Sequence, residues 1–464
     1  MKKVSKNFIF LFTGDIIVRI IGFIATVYIA RILDIAGFGL ISYGLAFLNY
    51  ALLFGNPGVT TIGAREIAKE EKFQDVIAKV LGVRFFLSLI IFLLLGVGLL
   101  IVPGGILTKR IIFFYALCIF PASLLLEFVF QGREDMEYIG IGRVIQYGVY
   151  LALLFLFVKK GQDILMVPIS FLVGYSVIAV FLIFIFLVRY GPIRFSFRDW
   201  RLLLSMAIPV GLATVLNQVS LNLPVIILGI FHSKSEVGAF SAGLKIIMVL
   251  LIIERVLYFI FFPIVARQYR HSPEKLHQSF TFILRIIFSL TVPILVGGLV
   301  LGPRMIVAIY GQGFVQAVNI FSIMLFYFFL SPLNTIFGYG LVAFDKEKRF
   351  LRVIVISSAV NFLLLFILGI YYRASGTAFA LVVGEIVGVS LMYYEIKKFV
   401  RVSIFGPIVR PVIVAGLMSI ILYLLYELNL IFLIVLGIFI YGAVFYFFGG
   451  ITRNQLEVFK KSLQ

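Results

Sequence analysis

Long runs of apolar residues, each long enough to cross a bilayer, follow one another along almost the whole chain. A membrane-spanning helix needs about 20 such residues, and the charged residues gather between the runs. The pattern predicts an all-α integral membrane protein with about fourteen transmembrane helices. The predicted spans are residues 8–32, 38–63, 80–102, 110–131, 139–158, 165–189, 201–230, 237–266, 281–302, 315–343, 351–371, 377–397, 406–426 and 430–450.

Composition excludes an ordinary soluble protein. Of the 464 residues, 62% are hydrophobic and 13% are charged, and the mean hydropathy is +1.15. A soluble domain would have roughly a quarter of its residues charged. The connections between the predicted spans are short, which argues against a membrane enzyme with a large extramembrane domain. We therefore expect a protein that is not an enzyme.

The distribution of basic residues predicts the orientation in the cytoplasmic membrane. Of the 40 Lys and Arg residues, 29 lie at one set of span ends, 9 at the other and 2 inside spans. This bias follows the positive-inside rule and predicts that both termini are cytoplasmic. Because the net charge of +19 comes from small groups next to spans, it does not indicate a nucleic-acid partner.

A weak internal repeat divides the chain. The segments GLISYG from Gly39 and GAFSAG from Gly238 open two predicted spans, and similar loops begin at Arg133 and Asp345. The repeat predicts two pseudo-symmetric six-helix lobes, residues 1–200 and 201–400, followed by a helix pair and a cytoplasmic tail in residues 401–464. Parallel repeats of this kind are typical of transporters whose substrate path lies between the lobes.

Charged residues inside spans are costly, so each suggests a cavity or an ion pair. Asp15 and Arg19 lie one helical turn apart, where they either pair locally or line a cavity. Glu254 and Arg255 are adjacent and point about 100° apart on a helix, so they do not simply pair with each other. Arg19 and Arg255 are the candidate contacts for an anionic substrate.

Three amides in the seventh predicted span, Asn217, Gln218 and Asn222, are candidate sugar contacts. The alternative is that they make hydrogen bonds between helices.

Two further acids, Glu127 in span 4 and Glu385 in span 12, have no sequence neighbour that would neutralise them. With Asp15 and Glu254, they are candidates for binding a coupling ion, H⁺ or Na⁺, although Glu127 is also placed at the cytoplasmic mouth, where it would be hydrated. Glu385 lies within the Gly384-x-x-x-Gly388 spacing, which more often marks close helix packing.

The chain offers no metal-site spacing and no disulfide. The three histidines, His232, His271 and His277, have no acid or cysteine nearby at ligand spacing, and Cys118 is the single cysteine. We expect neither a metal nor a cofactor.

Several segments, in order, resemble the polysaccharide flippases (O-antigen or teichoic type) of the multidrug/oligosaccharidyl-lipid/polysaccharide (MOP) exporter superfamily. The residues from Tyr28 to Lys69 resemble the opening of that family, with an Ala-Arg-x-Leu end to the first span and an Arg-Glu end to the second. Four later segments also resemble that family: Phe130 to Gln146, IPVGLATVLNQVSLNLPVIILG, IYGQGF and VAFDKEKRFLRV. One departure is Pro224, in a stretch of the seventh span where family members commonly carry an acid.

The resemblance implies a substrate and a direction of transport. The substrate would be a polyprenyl-pyrophosphate carrying an oligosaccharide, moved from the cytoplasmic to the outer leaflet by alternating access. The implied partners are membrane lipid and proteins of polysaccharide assembly. Two alternatives stay open: a cation antiporter for drugs or metabolites from the same superfamily, and an integral-membrane glycosyltransferase.

Overall fold

The protein is almost entirely helical. A computed structural model describes residues 2–69, 73–271 and 273–448, and no β-strand occurs among these residues. The predicted all-α class is therefore confirmed. By their internal contacts the residues form two compact units, Met1–Gly238 and Ala239–Gln464. The finer division predicted at residues 200 and 400 stays a prediction.

Among residues 2–69 and 73–238, the first unit contains nine α-helices and the beginning of a tenth. They are α1 (Lys2–Gly55), α2 (Val59–Lys69), α3 (Gln74–Ile101), α4 (Ile106–Leu117), α5 (Ile119–Ser123), α6 (Glu127–Gly132), α7 (Glu137–Phe157), α8 (Met166–Tyr190), α9 (Trp200–Phe231) and α10 (Lys234–Leu250). Helix α1 packs against α3, α4, α7 and α9, and α7 packs against α8. A hydrophobic core around Phe128, Phe130 and Phe186 joins α2, α3, α6 and α8.

Among residues 239–271 and 273–448, the second unit contains the rest of α10 and six further α-helices. They are α11 (Ile252–His271), α12 (Pro273–Tyr310), α13 (Ala317–Ala343), α14 (Glu347–Ile396), α15 (Phe405–Leu424) and α16 (Leu430–Phe447). Helix α13 packs against α11, α12 and α14, and α15 packs against α12 and α16. The hydrophobic core of the second unit includes Phe280, Phe288 and Phe337.

Within the described ranges, eleven helical stretches are long and apolar enough to cross a membrane. Two of them, Thr13–Gly55 and Glu347–Ile396, contain 43 and 50 residues, about twice the length of one span. The exact count of fourteen stays a prediction.

Both long stretches are interrupted where the hydrophobic pattern predicts a boundary between two spans. Asp34 has a φ of 62°, and its carboxylate accepts a hydrogen bond from the N–H of Gly37 at 2.7 Å, as a helix N-cap does. Arg373 has a φ of 56°. Beyond it, a Cβ on Gly376 would lie 2.2 Å from the carbonyl oxygen of Leu368, so this tight turn requires glycine.

Another break divides a segment that the sequence predicts as one span, residues 38–63. Helix α1 ends at Gly55 and α2 begins at Val59. Pro57 has no N–H to donate, and Gly58 has a φ of 80°, which favours glycine. Asn56 then accepts a hydrogen bond from the N–H of Thr60 at 3.1 Å and starts α2. Local turn chemistry here outweighs the apolar pattern.

Large apolar side chains cover the outside of the helices. Leu100, Ile101 and Phe447 are 78%, 83% and 84% exposed. Contiguous apolar surface of this kind is rare on soluble monomers, and a bilayer supplies the apolar environment that it needs.

Candidate functional site: two polar clusters among apolar helices

The first polar cluster begins on α1 with the pair that the sequence places one turn apart. Arg19 donates from Nε to Oδ2 of Asp15 at 3.2 Å. The side chains are 40% and 30% exposed, so the pair is accessible rather than sealed in the core. The predicted local ion pair therefore forms, and it leaves other N–H groups of the guanidinium, which has five, to bind a ligand.

The second pair of this cluster joins α6 to α7. Arg143 donates from Nε and Nη2 to the two carboxylate oxygens of Glu127, at 2.9 and 2.8 Å. The expectation that Glu127 lacks a neutralising partner is wrong. Arg143 lies inside α7, in the span predicted for residues 139–158. The pairing depends on how two helices pack, which the spacing of 16 residues does not reveal.

These two ion pairs lie close together because α1 and α7 touch. A Cβ on Gly14 would lie 3.2 Å from Cα of Gly140, and one on Gly22 would lie 3.4 Å from the ring of Tyr147. The carboxylate of Asp15 is near enough to Arg143 for the two charges to attract each other. Two acids and two arginines thus form one charge-balanced group, which we call the arginine cluster (Asp15, Arg19, Glu127 and Arg143).

Another arginine, missed by the sequence argument, supports this cluster. Arg84 on α3 is 6% exposed, and its guanidinium donates to the carbonyl oxygens of Leu125 and Ala122 at 2.7 and 2.6 Å. Those carbonyls lie where the chain breaks between α5 and α6, immediately before Glu127. Arg84 therefore holds the broken backbone that positions the Glu127 carboxylate. Its signal in the sequence is an arginine inside the apolar run LGVRFFL.

The candidate sugar contacts lie on α9. The amide oxygen of Asn222 accepts a hydrogen bond from Nδ2 of Asn49 on α1 at 2.9 Å. Asn49 was not predicted, and its side chain is exposed. Asn217 and Gln218 lie outside the residues whose side chains the structure describes. The pairing of Asn222 with α1 fits the alternative of a hydrogen bond between helices, while leaving Asn49 accessible.

The second polar cluster surrounds α13 in the second unit. Glu254 on α11 accepts hydrogen bonds from the hydroxyls of Ser331, at 2.8 Å, and Thr335. Glu385 on α14 accepts one from Nδ2 of Asn334 at 2.8 Å. The two carboxyls are close enough to interact electrostatically. Helix α13 thus supplies neutral donors to acids on both sides, and we call this group the carboxyl cluster (Glu254, Ser331, Asn334, Thr335 and Glu385).

The glycines that flank Glu385 make room for amides. A Cβ on Gly388 would lie 3.0 Å from Nδ2 of Asn334, and one on Gly384 would lie 2.9 Å from Cβ of Asn361. The close packing expected from the Gly-x-x-x-Gly spacing is therefore packing against polar side chains. It brings the donor Asn334 to the Glu385 carboxylate.

Arg255 and the residues of an aromatic cleft follow Glu254 along α11. Arg255 follows Glu254 and is exposed, on a different unit from Arg19. One turn further along, the rings of Tyr258 and Tyr339 lie 4.3 Å apart, and that of Phe262 lies 5.4 Å from Tyr258. These rings line a small cleft between α11 and α13.

Comparison with known proteins shows the family of this chain. The profile of the family described as "Polysaccharide biosynthesis protein" matches residues 4–268. A protein of Escherichia coli (strain K12) named "Putative O-antigen transporter" is 23% identical over 387 residues, which cover 80% of this chain and 91% of that protein.

Solved transporter structures share the fold. The lipid II flippase MurJ, in an inward closed conformation, superposes with a TM-score of 0.81 at 14% identity and covers 95% of this chain and 99% of its own. An inward-facing multidrug resistance MATE family transporter of the MOP superfamily gives a TM-score of 0.64 at 15% identity, over 82% of this chain and 94% of that chain.

These proteins are transporters or flippases by name rather than enzymes, in agreement with the prediction that this chain is not an enzyme. The likeness to MurJ and the MATE transporter shows the fold. The family profile covers more than half of the chain, which confirms the resemblance drawn from the sequence motifs. The protein is therefore a multi-pass membrane protein that belongs to the polysaccharide biosynthesis protein family.

Proposed function

We propose that this protein carries a polyprenyl-pyrophosphate-linked oligosaccharide from the cytoplasmic to the outer leaflet of the cell membrane, by alternating access. Family membership and the similarity to an O-antigen transporter support a lipid-linked glycan as the substrate. The fold shared with a lipid II flippase supports leaflet exchange as the activity. Both termini would be cytoplasmic, as the distribution of basic residues predicts.

The observation that carries the proposal is the arginine cluster. Its four charged side chains are 25–42% exposed although they lie on helices apolar enough to span a membrane. Contact with lipid would be costly at that depth, so such residues usually face a water-filled path. A guanidinium group can bind two phosphate oxygens at once, in a bidentate contact. We assign the pyrophosphate contacts to Arg19 and Arg143, with Arg255 as a further cation.

The oligosaccharide needs polar contacts. Each sugar hydroxyl is costly to bury without a partner, and amides on α9 would supply partners: Asn222, with Asn49 beside it, and Asn217 and Gln218.

The membrane potential would favour this direction of movement. A charge crossing the membrane gains or loses about 2.3 kcal/mol per 100 mV. At 100 mV, inside negative, outward movement of a pyrophosphate with a charge of about −2 is therefore favoured by about 4–5 kcal/mol.

We place the coupling ion, H⁺ or Na⁺, in the carboxyl cluster. Glu254 and Glu385 are hydrogen-bonded by hydroxyls and an amide, so ion binding there does not require an arginine to be displaced. The other two acids predicted as coupling candidates, Asp15 and Glu127, are each paired with an arginine. Those two acids are better suited to holding the arginines in position.

The test is reconstitution of the purified protein in vesicles with a fluorescent polyprenyl-pyrophosphate oligosaccharide. A lectin or a membrane-impermeant quencher reports the leaflet, with and without an imposed potential. Potential-dependent movement that Arg255→Ala or Arg19→Ala slows supports the substrate and its cationic contacts. Absence of movement for several glycans, together with efflux of organic cations, would instead identify a cation antiporter of the same superfamily.

A further inference from the structure

The connection between α8 and α9 is a non-helical segment held against the start of α3. The N–H of Ser196 donates to the carbonyl oxygen of Ala78 at 3.0 Å. A Cβ on Gly82 would lie 2.3 Å from the carbonyl oxygen of Ser196, so only glycine allows this close approach. Lys79 pairs with Asp199 at 2.8 Å. A hydrogen bond, a close approach that requires glycine and an ion pair therefore hold this segment against α3.

Aromatic rings on either side of Ser196 form an accessible apolar surface. Phe195 packs edge-on against Phe85 and Phe197 against Phe86, with ring centroids 6.4 and 6.3 Å apart. Phe195 and Phe197 are 52% and 57% exposed, and Phe85 and Phe86 are 38% and 47% exposed. Trp200, at the start of α9, is 41% exposed.

Arginines alternate with these rings. Arg194, Arg198 and Arg201 are exposed, and the guanidinium of Arg201 lies 5.3 Å from the centre of the Trp200 ring. The nearby acid, Asp199, is bonded to Lys79. The surface formed by residues 194–201 and the two phenylalanines of α3 therefore combines half-exposed aromatic rings with excess positive charge. We call it the basic aromatic surface.

Its position follows from the helices that meet there. Helix α8 ends at Tyr190, α9 begins at Trp200 and α3 begins at Gln74, and α3 and α8 are apolar enough to span the membrane. A segment that joins or flanks such helix ends lies at headgroup depth. Aromatic rings are enriched at that depth, and arginines near the surface attract anionic lipids.

We propose that the basic aromatic surface is a binding site for anionic phospholipid headgroups of the surrounding bilayer. The arginines contact the phosphates and the added negative charge of the headgroup, and the aromatic rings occupy the boundary with the acyl chains. The site is separate from the arginine cluster and does not depend on which glycan the protein carries.

The chain contains one tryptophan, so Trp200 is a native probe of this surface. Full-length protein is reconstituted in phosphatidylcholine vesicles that contain about one fifth phosphatidylglycerol. In one sample the phosphatidylglycerol is brominated near the headgroup end of its acyl chains. In the other, an equal amount of the phosphatidylcholine is brominated instead. Bromine quenches tryptophan fluorescence at short range, so the ratio of the two quenching constants measures local enrichment of the anionic lipid.

We expect brominated phosphatidylglycerol to quench Trp200 about twofold to fivefold more strongly than brominated phosphatidylcholine. High salt should reduce the ratio, because it screens exposed charges. Arg194→Gln/Arg198→Gln should bring the ratio close to one, while Arg201 is left in place because it touches the probe. The matched control, Lys348→Gln/Arg352→Gln, removes two exposed charges from α14 and should retain the ratio.

Equal quenching by the two lipids in the wild type would overturn the proposal, as would an equal loss of selectivity in the control variant. Trp200 that neither lipid quenches would also overturn it, since the surface would then lie in water. Because no glycan is present, these outcomes are independent of whether the protein proves to be a flippase.

Discussion

The arginine cluster and the carboxyl cluster place acids in two different electrostatic environments. In the first unit, Asp15 and Glu127 are each bonded to an arginine. In the second, Glu254 and Glu385 accept hydrogen bonds from hydroxyl and amide groups of α13. A guanidinium already supplies a cation to its acid, whereas hydroxyl and amide donors supply none, so the second arrangement is the one suited to binding a cation.

Under the proposed function, the two units would do different work. The arginine cluster is charge-balanced and keeps guanidinium groups ready for an anion without leaving uncompensated charge at bilayer depth. The carboxyl cluster has polar oxygens suited to an ion. The main pyrophosphate contacts in the first unit and ion binding in the second would be a division of labour. The first two predictions below each test one side of it.

The largest effect is expected from Arg143→Gln. A hydrogen bond to a charged group contributes about 1.5–3 kcal/mol, so losing the phosphate contact should slow glycan movement about tenfold or more. Lys79→Gln is the control, because Lys79 and its acid are also 2.8 Å apart but lie outside the cluster. The vesicle assay compares the two rates. Wild-type movement in Arg143→Gln would remove the arginine cluster from the proposed substrate path.

Glu254→Gln and Glu385→Gln should change the response to ions more than the transport itself. We expect movement driven by the potential to continue, while acceleration by an imposed H⁺ or Na⁺ gradient, about fivefold or less, disappears. The matched control is Glu395→Gln on the same helix as Glu385, since Glu395 is paired with Arg349 and Lys398. An ion response that survives both substitutions in the carboxyl cluster would contradict the assigned division.

A pair of double-mutant cycles sharpens the comparison within the arginine cluster. Glu127 and Arg143 make two hydrogen bonds between helices, so we expect a coupling energy of about 1–2 kcal/mol. Asp15 and Arg19 are a single-turn pair with one hydrogen bond and should give about 0.3–0.5 kcal/mol. Unfolding free energies of alanine variants in mixed micelles provide both values. Equal coupling energies would show that contact between helices adds nothing.

The smallest effect concerns the exposed pair Lys79–Asp199. The Lys79 ammonium holds the pKa of the Asp199 carboxyl below its ordinary value. The pair therefore stabilises the fold above the unfolded-state pKa of about 4, and the contribution is lost as the pH falls through the folded-state value. Because the pair is solvent-exposed, we expect Asp199→Asn to lower the thermal midpoint at neutral pH by about 1 °C at most. A drop of several degrees would show that the segment before α9 matters more for stability than this pair suggests.

The sequence predicted much of the fold because hydrophobic length is a local property. The boundaries expected between residues 32 and 38 and between 371 and 377 coincide with the breaks at Asp34 and Arg373. The break after Gly55 was not predicted, because the apolar run over residues 38–63 has the length of a single span. The signal available in the sequence was the dipeptide Pro57-Gly58, which is typical of turns.

The candidate site was predicted in part. Asp15 and Arg19 pair because they are one turn apart on a helix, so spacing alone is sufficient. Glu127 was wrongly expected to lack a partner, because Arg143 reaches it only through the packing of α6 on α7. The sequence also failed to indicate Asn49, Ser331 and Thr335. A neutral polar residue in an apolar run carries little signal, and only helix packing brings these three to their partners.

The sequence by itself determined that this chain spans a membrane and, through its family motifs, that it belongs to the polysaccharide biosynthesis protein family. Both conclusions depend on hydrophobic runs and on residue order, which need no knowledge of neighbouring helices. Only the tertiary structure decided which acids are neutralised by arginines and which are hydrogen-bonded by neutral groups. The physical reason is that the charge state of an acid at bilayer depth depends on what lies within a few ångströms of it, and helix packing brings those groups together from distant parts of the chain.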